Sequence, residues 1–297
     1  MRIRSRPYSD EHDLRQMLDF VVGAANSGAA SYLHLGDVLW GIYHRADYDP
    51  AGNIRFWEDA HGLLLGFAWH EEPDGVVMQV APRLRVTGAL EREMIAWGAA
   101  QVDRASPNSD GNLWTRVHGR DTETVALLLR GGWTRDEMHT LKMRRDLGLA
   151  IPDPLPGETF TVRPVDGEEE WPARVALHRA VWPGATMTPA SYRRLRAAPH
   201  YLPELDLVAV APDGSLAASC ICWLDTVNGS GELDPVGTHE RFRGQGVDAG
   251  RATPPSGARR AYRARHVGRG QRRRDAALRL GGLLHLRYRA LLPQAAG

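Results

Sequence analysis

Along most of the chain, apolar and polar positions alternate in short runs, and the period switches between two residues and about 3.6. In the first half the two-residue period predicts strands at Ile54–Trp57, Leu63–Trp69, Val76–Val80, Leu113–Val117 and His139–Arg144. The helical period predicts helices from about Ala89 to Val102 and from Thr122 to Leu129, the second stopped by Gly131-Gly132. In the second half, strands are predicted at Leu207–Ala211, Leu216–Leu224 and Glu232–Thr238, with Asn228-Gly229 supplying a hairpin turn between the last two.

The two halves open alike. Arg2-Ile-Arg-Ser-Arg6-Pro7 precedes an acidic segment and an apolar run from Leu14 to Val22; Phe160-Thr-Val-Arg163-Pro164 precedes Glu168-Glu-Glu170 and a run from Val175 to Val181. Each reads as a short strand closed by Arg-Pro, then a helix with acidic residues at its N-terminus, where the helix dipole favours negative charge. Ile151-Pro-Asp-Pro-Leu-Pro-Gly157 has three prolines in seven residues and reads as a semi-rigid linker. The order is that of an α+β fold with one mixed sheet in each of two tandem domains, the second incomplete at its C-terminus. The expected organisation is a first domain at 1–147, a linker at 148–158, a second domain at 159–247 and an Arg/Gly/Pro-rich tail at 248–297.

Length and composition agree: 297 residues accommodate two such cores, and 43% apolar with 25% charged residues is the balance of a soluble globular chain. No run of 18 apolar residues occurs, and Met1-Arg-Ile-Arg-Ser-Arg6 lacks a signal-peptide core, so no membrane partner and a cytoplasmic location are expected. Cys220 and Cys222 stand two apart in a strand pattern and share a face; with no second Cys/His pair to complete a zinc site, they read as buried thiols. The net charge of +1 conceals two unlike segments. Residues 248–297 hold twelve Arg, two Asp and no Lys or Glu, whereas 1–247 hold 25 basic and 34 acidic residues. Lys142 is the only lysine among 37 basic residues, an imbalance that points to a GC-rich gene.

The most specific stretch runs from Gly231 to Val247. A strand pattern leads into Arg241-Phe-Arg-Gly244-Gln-Gly246, a tight loop of the kind that presents backbone N–H groups to phosphate. After Val236-Gly-Thr-His239, the spelling Arg-x-x-Gly-x-Gly resembles the acetyl-CoA pyrophosphate loop of the GNAT N-acetyltransferase superfamily. The repeated element order is similar to tandem GNAT proteins of the mycothiol synthase type. In the first half, Gly119 to Trp133 looks like the family's late helix-to-strand passage without its usual Asn and Tyr. There Arg83-Leu-Arg-Val-Thr-Gly88-Ala89 has one glycine where the phosphate loop would lie, so the first half resembles a copy that kept the fold and lost the cofactor.

Past Val247 the resemblance nearly vanishes. Pro254-Pro255 and Gly257 break the helix that the family places after its loop, and no helical or strand period stands out before about Ala276. About residues 248–275 are therefore expected to pack poorly. The tail has the composition of a GC-rich gene read one base out of frame, and a frameshift at about Val247–Asp248 is preferred to a genuine basic tail. The family's next strand, which splays away to admit the cofactor's pantetheine arm, would fall in this segment.

The resemblance implies direct attack of an amine on the thioester of acetyl-CoA, with no acyl-enzyme. That chemistry needs a pyrophosphate cradle, a donor polarising the carbonyl, a base for the ammonium and an acid for the thiolate. The cradle maps to Arg241, Arg243, Gly244, Gln245, Gly246 and Val247, and the main chain of Val236, Gly237 and Thr238 would pair with the pantetheine arm. Glu232 or Asp234, or a water they position, is the candidate base; the competing reading makes both solvated turn residues after Gly229-Ser-Gly231. His239 reads as a capping or packing residue, and Cys222 and Trp223 as core. No thiolate acid is assigned, Tyr262 and Tyr288 being the only tyrosines after the loop.

Trp40, Tyr43, Phe56, Trp57 and Trp69 fit an aromatic core or a pocket wall of the first half, and Arg179 to Arg196 fall where the family places its acceptor-side helices. His70-Glu-Glu and the scattered His34, His44 and His61 lack metal-site spacing. Two classes of function stay open: an acetyl-CoA-dependent N-acetyltransferase acting on a small primary amine, and a catalytically inactive frame-shifted or truncated relative that keeps a binding scaffold. Nucleic-acid binding through the eight Arg within 258–274 is disfavoured, because interleaved aromatics and a folded platform are missing.

Overall fold

The computed structural model describes residues 2–26, 33–71, 73–85, 88–105, 112–147, 149, 160–245, 262–266 and 279–289. The first half runs β1 (Arg4–Pro7), α1 (Glu11–Asn26), α2 (Leu35–Tyr43), the single turn α3 (Pro50–Asn53), β2 (Ile54–Glu58), β3 (Leu64–Glu71), β4 (Gly75–Val80), α4 (Ala89–Ala105), β5 (Asn112–His118), α5 (Thr122–Arg130) and β6 (Thr134–Arg145). The second half runs β7 (Thr161–Pro164), α6 (Trp171–Val181), α7 (Pro189–Arg196), β8 (Asp206–Val210), β9 (Leu216–Asp225), β10 (Ser230–Thr238), β11 (Tyr262–His266) and β12 (Arg279–Arg289). The chain divides into two compact units, one of Met1–Leu33, Asp49–Leu141 and Gly281–Gly297, the other of His34–Tyr48 and Lys142–Leu280.

In the first unit β1, β2, β3 and β4 pair antiparallel in that order, and β4 pairs parallel with β5 through Gly75–Trp114 and Val76–Thr115. β12 lies antiparallel on β5, from Leu283 opposite His118 to Arg289 opposite Asn112. β3 and β4 are buried almost throughout, so their side chains on both faces meet protein. α1 covers one face, Phe20 standing edge-on to Phe67 at 5.7 Å. α4 covers the other, where Gly98 sits so near Val76 that a Cβ would come within 2.7 Å. Phe56, Trp57 and Trp69 are all buried in this core.

The second unit repeats the plan: β7, β8, β9 and β10 pair antiparallel, and β11 runs parallel to β10 with Gly231, Glu232 and Leu233 opposite Tyr262, Arg263 and Ala264. β11 corrects the expectation of a tail without strands before about Ala276. Its Tyr-Arg-Ala-Arg-His spelling has no apolar period, and its ladder comes from the open edge of β10 rather than from its own propensity. The stretch 151–157, Gly246, Val247 and the segment where the post-loop helix would begin lie outside the described residues.

The most informative departure from the sequence reading is α2. It stands in the first half of the sequence but belongs to the second unit. Leu35, Val38, Leu39 and Ile42 recur at helical spacing and are buried. Gly36 seats the helix so closely on the Trp223 ring of β9 that a Cβ would lie 2.4 Å away. At the far end Arg194 of α7 donates to the carbonyl of Ile42 (3.3 Å), a group that the helix end leaves without a partner, and to that of Ala46 (3.1 Å) just beyond it. Trp40 and Tyr43 therefore wall no pocket of the first unit. Among the described residues, no helix is long and apolar enough to cross a membrane.

Candidate functional site

β10 keeps register with β9 from Ser230 to Leu233 and again from Val236 to Thr238, so Asp234 and Pro235 bulge opposite Ile221. The indole Nε1 of Trp223 donates to the Asp234 carbonyl at 2.7 Å and fixes the bulge. Among the described residues the ladder to β11 ends at Leu233, leaving Val236, Gly237 and Thr238 without a strand on that edge. Val236 packs with Leu233 against Ala209, Ala218 and Cys220. Gly237 faces the other way, with Val181 of α6 and its C-cap Trp182 so near that a Cβ would stand 2.5 and 2.4 Å from them.

The chain then turns sharply. His239 caps a short 3-10 turn by accepting the Arg241 N–H at Nδ1 (3.2 Å), and the N–H groups of Phe242 and Arg243 donate to the carbonyls of His239 (2.9 Å) and Glu240 (3.2 Å). Phe242 anchors the turn, buried edge-on against Phe160 at 5.8 Å. Three N–H groups of the predicted row are thereby used internally. The N–H groups of Gly244 and Gln245 make no hydrogen bond among the described residues. Gly244 has φ +76°, and a Cβ there would meet no atom of the described residues within 4 Å. Arg241 and Arg243 are both exposed: Arg241 pairs with Asp213 at 2.9 Å, and Arg243 spends only its Nε, on the Thr238 carbonyl at 3.2 Å.

Glu232 is not a solvated turn residue. It is 1% exposed, and its Oε2 lies 3.4 Å from Nδ1 of His34, which is also buried. Asp234 is half-buried. Cys220, Cys222 and Trp223 are core residues, and the two cysteines form no disulfide.

A second polar cluster, unforeseen from sequence, stands on α6 and α7. The buried Asp206 accepts from Arg174 Nε (3.2 Å) and from the hydroxyls of Tyr192 (2.6 Å) and Tyr201 (2.7 Å). Burial, and then the Asp206 charge, raise both phenols above their ordinary range. Burial, reinforced by Arg174 and His44, pushes His178 down to about 3. The visible signal was an Arg and a His four apart on an otherwise apolar helical face.

The matching loop of the first unit is built differently. Arg85 is buried, its Nε donating to the Val80 carbonyl at 3.2 Å and its Nη1 to Asp121 at 3.3 Å. Beside it lies a cavity of about 420 Å³ bordered by Arg85, Gly88, Arg92, Glu123, Leu127 and Arg130.

No family profile matches the sequence, and no curated protein does. Solved structures do resemble it. A GCN5-related N-acetyltransferase from Sphaerobacter thermophilus superposes with a TM-score of 0.62 at 16% identity, over 96% of this chain and 95% of that one. A tandem GNAT protein from the clavulanic acid biosynthesis pathway gives 0.59 at 15% identity, over 97% of this chain and 98% of that one. At such identities the likeness is one of fold: the chain carries the tandem GNAT fold.

Proposed function

We propose that the protein is an N-acetyltransferase whose second unit transfers the acetyl group of acetyl-CoA to a small primary amine by direct attack. The observation that carries this reading is the turn after β10. Among the described residues it offers two N–H groups with no partner, a glycine at positive φ with no atom near its Cβ position, and two exposed arginines, a donor set suited to a pyrophosphate. Gly246 and Val247 are assigned to the same cradle. The edge of Val236, Gly237 and Thr238, which pairs with no strand there among the described residues, suits an extended arm that seeks main-chain hydrogen bonds.

Acetyl-CoA supplies the acyl group, whose carbonyl carbon bonds the amine nitrogen as the bond to sulfur breaks. The base is assigned to Glu232, buried on β10, with Asp234 at the bulge two residues on.

The loop is tested by calorimetry of acetyl-CoA with the parent and with Gly244→Val. A β-branched residue at φ +76° is strained and blocks close approach of phosphate, so binding should weaken by at least about tenfold. Unchanged affinity would move the site, with the first-unit cavity next in line. Turnover is read as free thiol released with a panel of primary amines; donor binding without thiol release from any of them refutes the transfer.

A further inference from the structure

We propose that the acceptor is a monoamine carried on a flat, apolar body, an arylalkylamine, and that Trp40 and Trp182 select it by stacking on its ring. The inference deepens the proposed function and rests on its placing of the donor arm along Val236, Gly237 and Thr238.

The bulge in β10 decides which face of the sheet the acceptor meets. Glu232 stands opposite Trp223 of β9, and Gly237 opposite Ser219. Trp223 and Ser219 are four apart on one strand and share a face. Glu232 and Gly237 are five apart and would point to opposite faces of an unbroken strand; the bulge at Asp234 and Pro235 adds the residue that brings them together. On that shared face α2 packs through Gly36 on Trp223, and the end of α6 packs on Gly237.

Four rings stand in a row there, all within the second unit. Trp182 lies over Gly237, close enough to meet a Cβ at 2.4 Å. His178, one turn back on α6, is 4.6 Å from Trp182 and 5.3 Å from Trp40 of α2, centroid to centroid, and His44 stacks on Trp40 at 4.7 Å. Trp40 reaches the row because Gly36, one turn earlier on the same stripe, seats α2 on the sheet. His178 is buried, but Trp40, His44 and Trp182 are half-buried. Indoles with part of their surface uncovered, beside the edge assigned to the donor, offer a second flat ring a place to stack.

The charge around the row disfavours a second ammonium. His178 is neutral, held so by burial and then by the charges of Arg174 and His44. Arg174, a further turn back on α6, is a buried cation that reaches Asp206 through Nε at 3.2 Å, while its Nη1 and Nη2 have no hydrogen-bond partner among the described residues. A polyamine would bring one cation toward another and lose water in doing so. An arylalkylamine directs its one ammonium to Glu232 and leaves a neutral ring for the indoles.

Two measurements on the full chain decide the matter. The first needs no turnover. The ¹⁹F line of 4-fluorophenylethylamine should broaden with the parent, stay sharp with Trp182→Leu and with Trp40→Leu, and broaden again with Trp182→Phe, which keeps a ring in place. Equal broadening by the parent and both leucine variants overturns the inference. So does a sharp line with the parent, whether or not acetyl-CoA is present.

The second is thiol release with 2-phenylethylamine, putrescine and glucosamine at saturating acetyl-CoA. The value of kcat/KM should be at least about tenfold higher for 2-phenylethylamine than for the other two, and Trp40→Leu should erase most of that preference through KM for the amine. Putrescine or glucosamine ranking first overturns the inference. Ring-dependent broadening without thiol release from any amine would refute acetyl transfer and uphold the aryl site, so the two failures are told apart.

Discussion

The helices α1 and α6 occupy the same place in the two units, and the polar tethers that hold them are nearly superimposable in chemistry. Arg6 grips Asp13 through two bonds of 2.6 and 2.7 Å, Arg163 grips Glu170 through two of 2.6 and 2.8 Å, and each arginine also donates to the carbonyl of the proline next to it in the chain. Beyond the tethers the two helices diverge. Four and eight residues past Asp13 stand Met17 and Val21; four and eight past Glu170 stand Arg174 and His178. All four are buried. The fold therefore does not require a charged interior at this face, since one copy builds it from apolar side chains. The second copy keeps a guanidinium and an imidazole in its core, in the same unit as the exposed loop and Glu232. The loops contrast in the same sense: Arg85 of the first unit is turned inward, whereas Arg241 and Arg243 are presented to solvent.

Imposing the first helix on the second should break the comparison most visibly. Arg174→Met leaves Asp206 buried with two tyrosine hydroxyls and, as its nearest cation, Arg196, which donates to those hydroxyls and not to the carboxylate; it should cost about 3–5 kcal/mol in urea unfolding. Adding Asp206→Leu removes the stranded charge and should recover more than half of that loss. A single variant as stable as the parent would mean that the tyrosines alone satisfy Asp206. A double variant no better than the single would locate the cost in packing rather than in charge.

The second test uses acid. His178 titrates at about 3 in the folded chain, against about 6.5 when exposed, so it is neutral when buried. As pH falls from about 6.5 toward about 3, the unfolded chain takes up a proton that the folded one refuses, and stability is lost across that window. By pH 4 the loss attributable to this ring should reach about 3 kcal/mol. His178→Val, its counterpart from α1, should flatten the slope of unfolding free energy between pH 4 and 6.5 while leaving the slope above pH 7 untouched. Parallel slopes in parent and variant would show that the ring is hydrated in solution.

Whether a feature was legible in the sequence depends on whether its cause is local. Alternation placed β2, β3, β8, β9 and β10 to within a few residues, because each buries its apolar face against its immediate neighbours. The Arg-Pro openings and the acidic helix starts were legible for the same reason, although the pairing of Arg6 with Asp13 and of Arg163 with Glu170 was not. α2 carries a helical period at Leu35, Val38, Leu39 and Ile42, yet no local feature says which unit will bury it; that is decided by Gly36 meeting Trp223, nearly 190 residues away. β11 was hidden by its arginines. The loop was legible as a spelling, but the use of three of its N–H groups by His239 and Glu240 was not. The burial of Glu232 depends on α2 and was equally beyond reach.

The smallest expected effect sharpens the comparison at the tethers themselves. Burial would raise the Asp13 carboxyl, but hydrogen bonds from Arg6 and Ser9 outweigh it and hold it below the ordinary carboxylate range. In Glu170 the bond from Arg163 dominates and acts in the same direction. Each carboxylate therefore contributes stability that is present above the usual carboxylate pKa and is lost as pH falls through the depressed value. The two are not equal. Asp13 is 2% exposed and also accepts the N–H and hydroxyl of Ser9 at 2.8 and 3.0 Å, whereas Glu170 is 16% exposed and gains one further bond, from the Asp166 N–H. At pH 7, Asp13→Asn should cost about 2 kcal/mol and Glu170→Gln about 1 kcal/mol or less. Once pH falls below the depressed values both differences should shrink toward zero, because the parent carboxyls are then protonated as well. Equal costs at pH 7 would mean that the extra burial of Asp13 offsets its extra hydrogen bonds. A Glu170→Gln cost that did not fall with pH would trace that tether to the shape of the side chain and not to its charge.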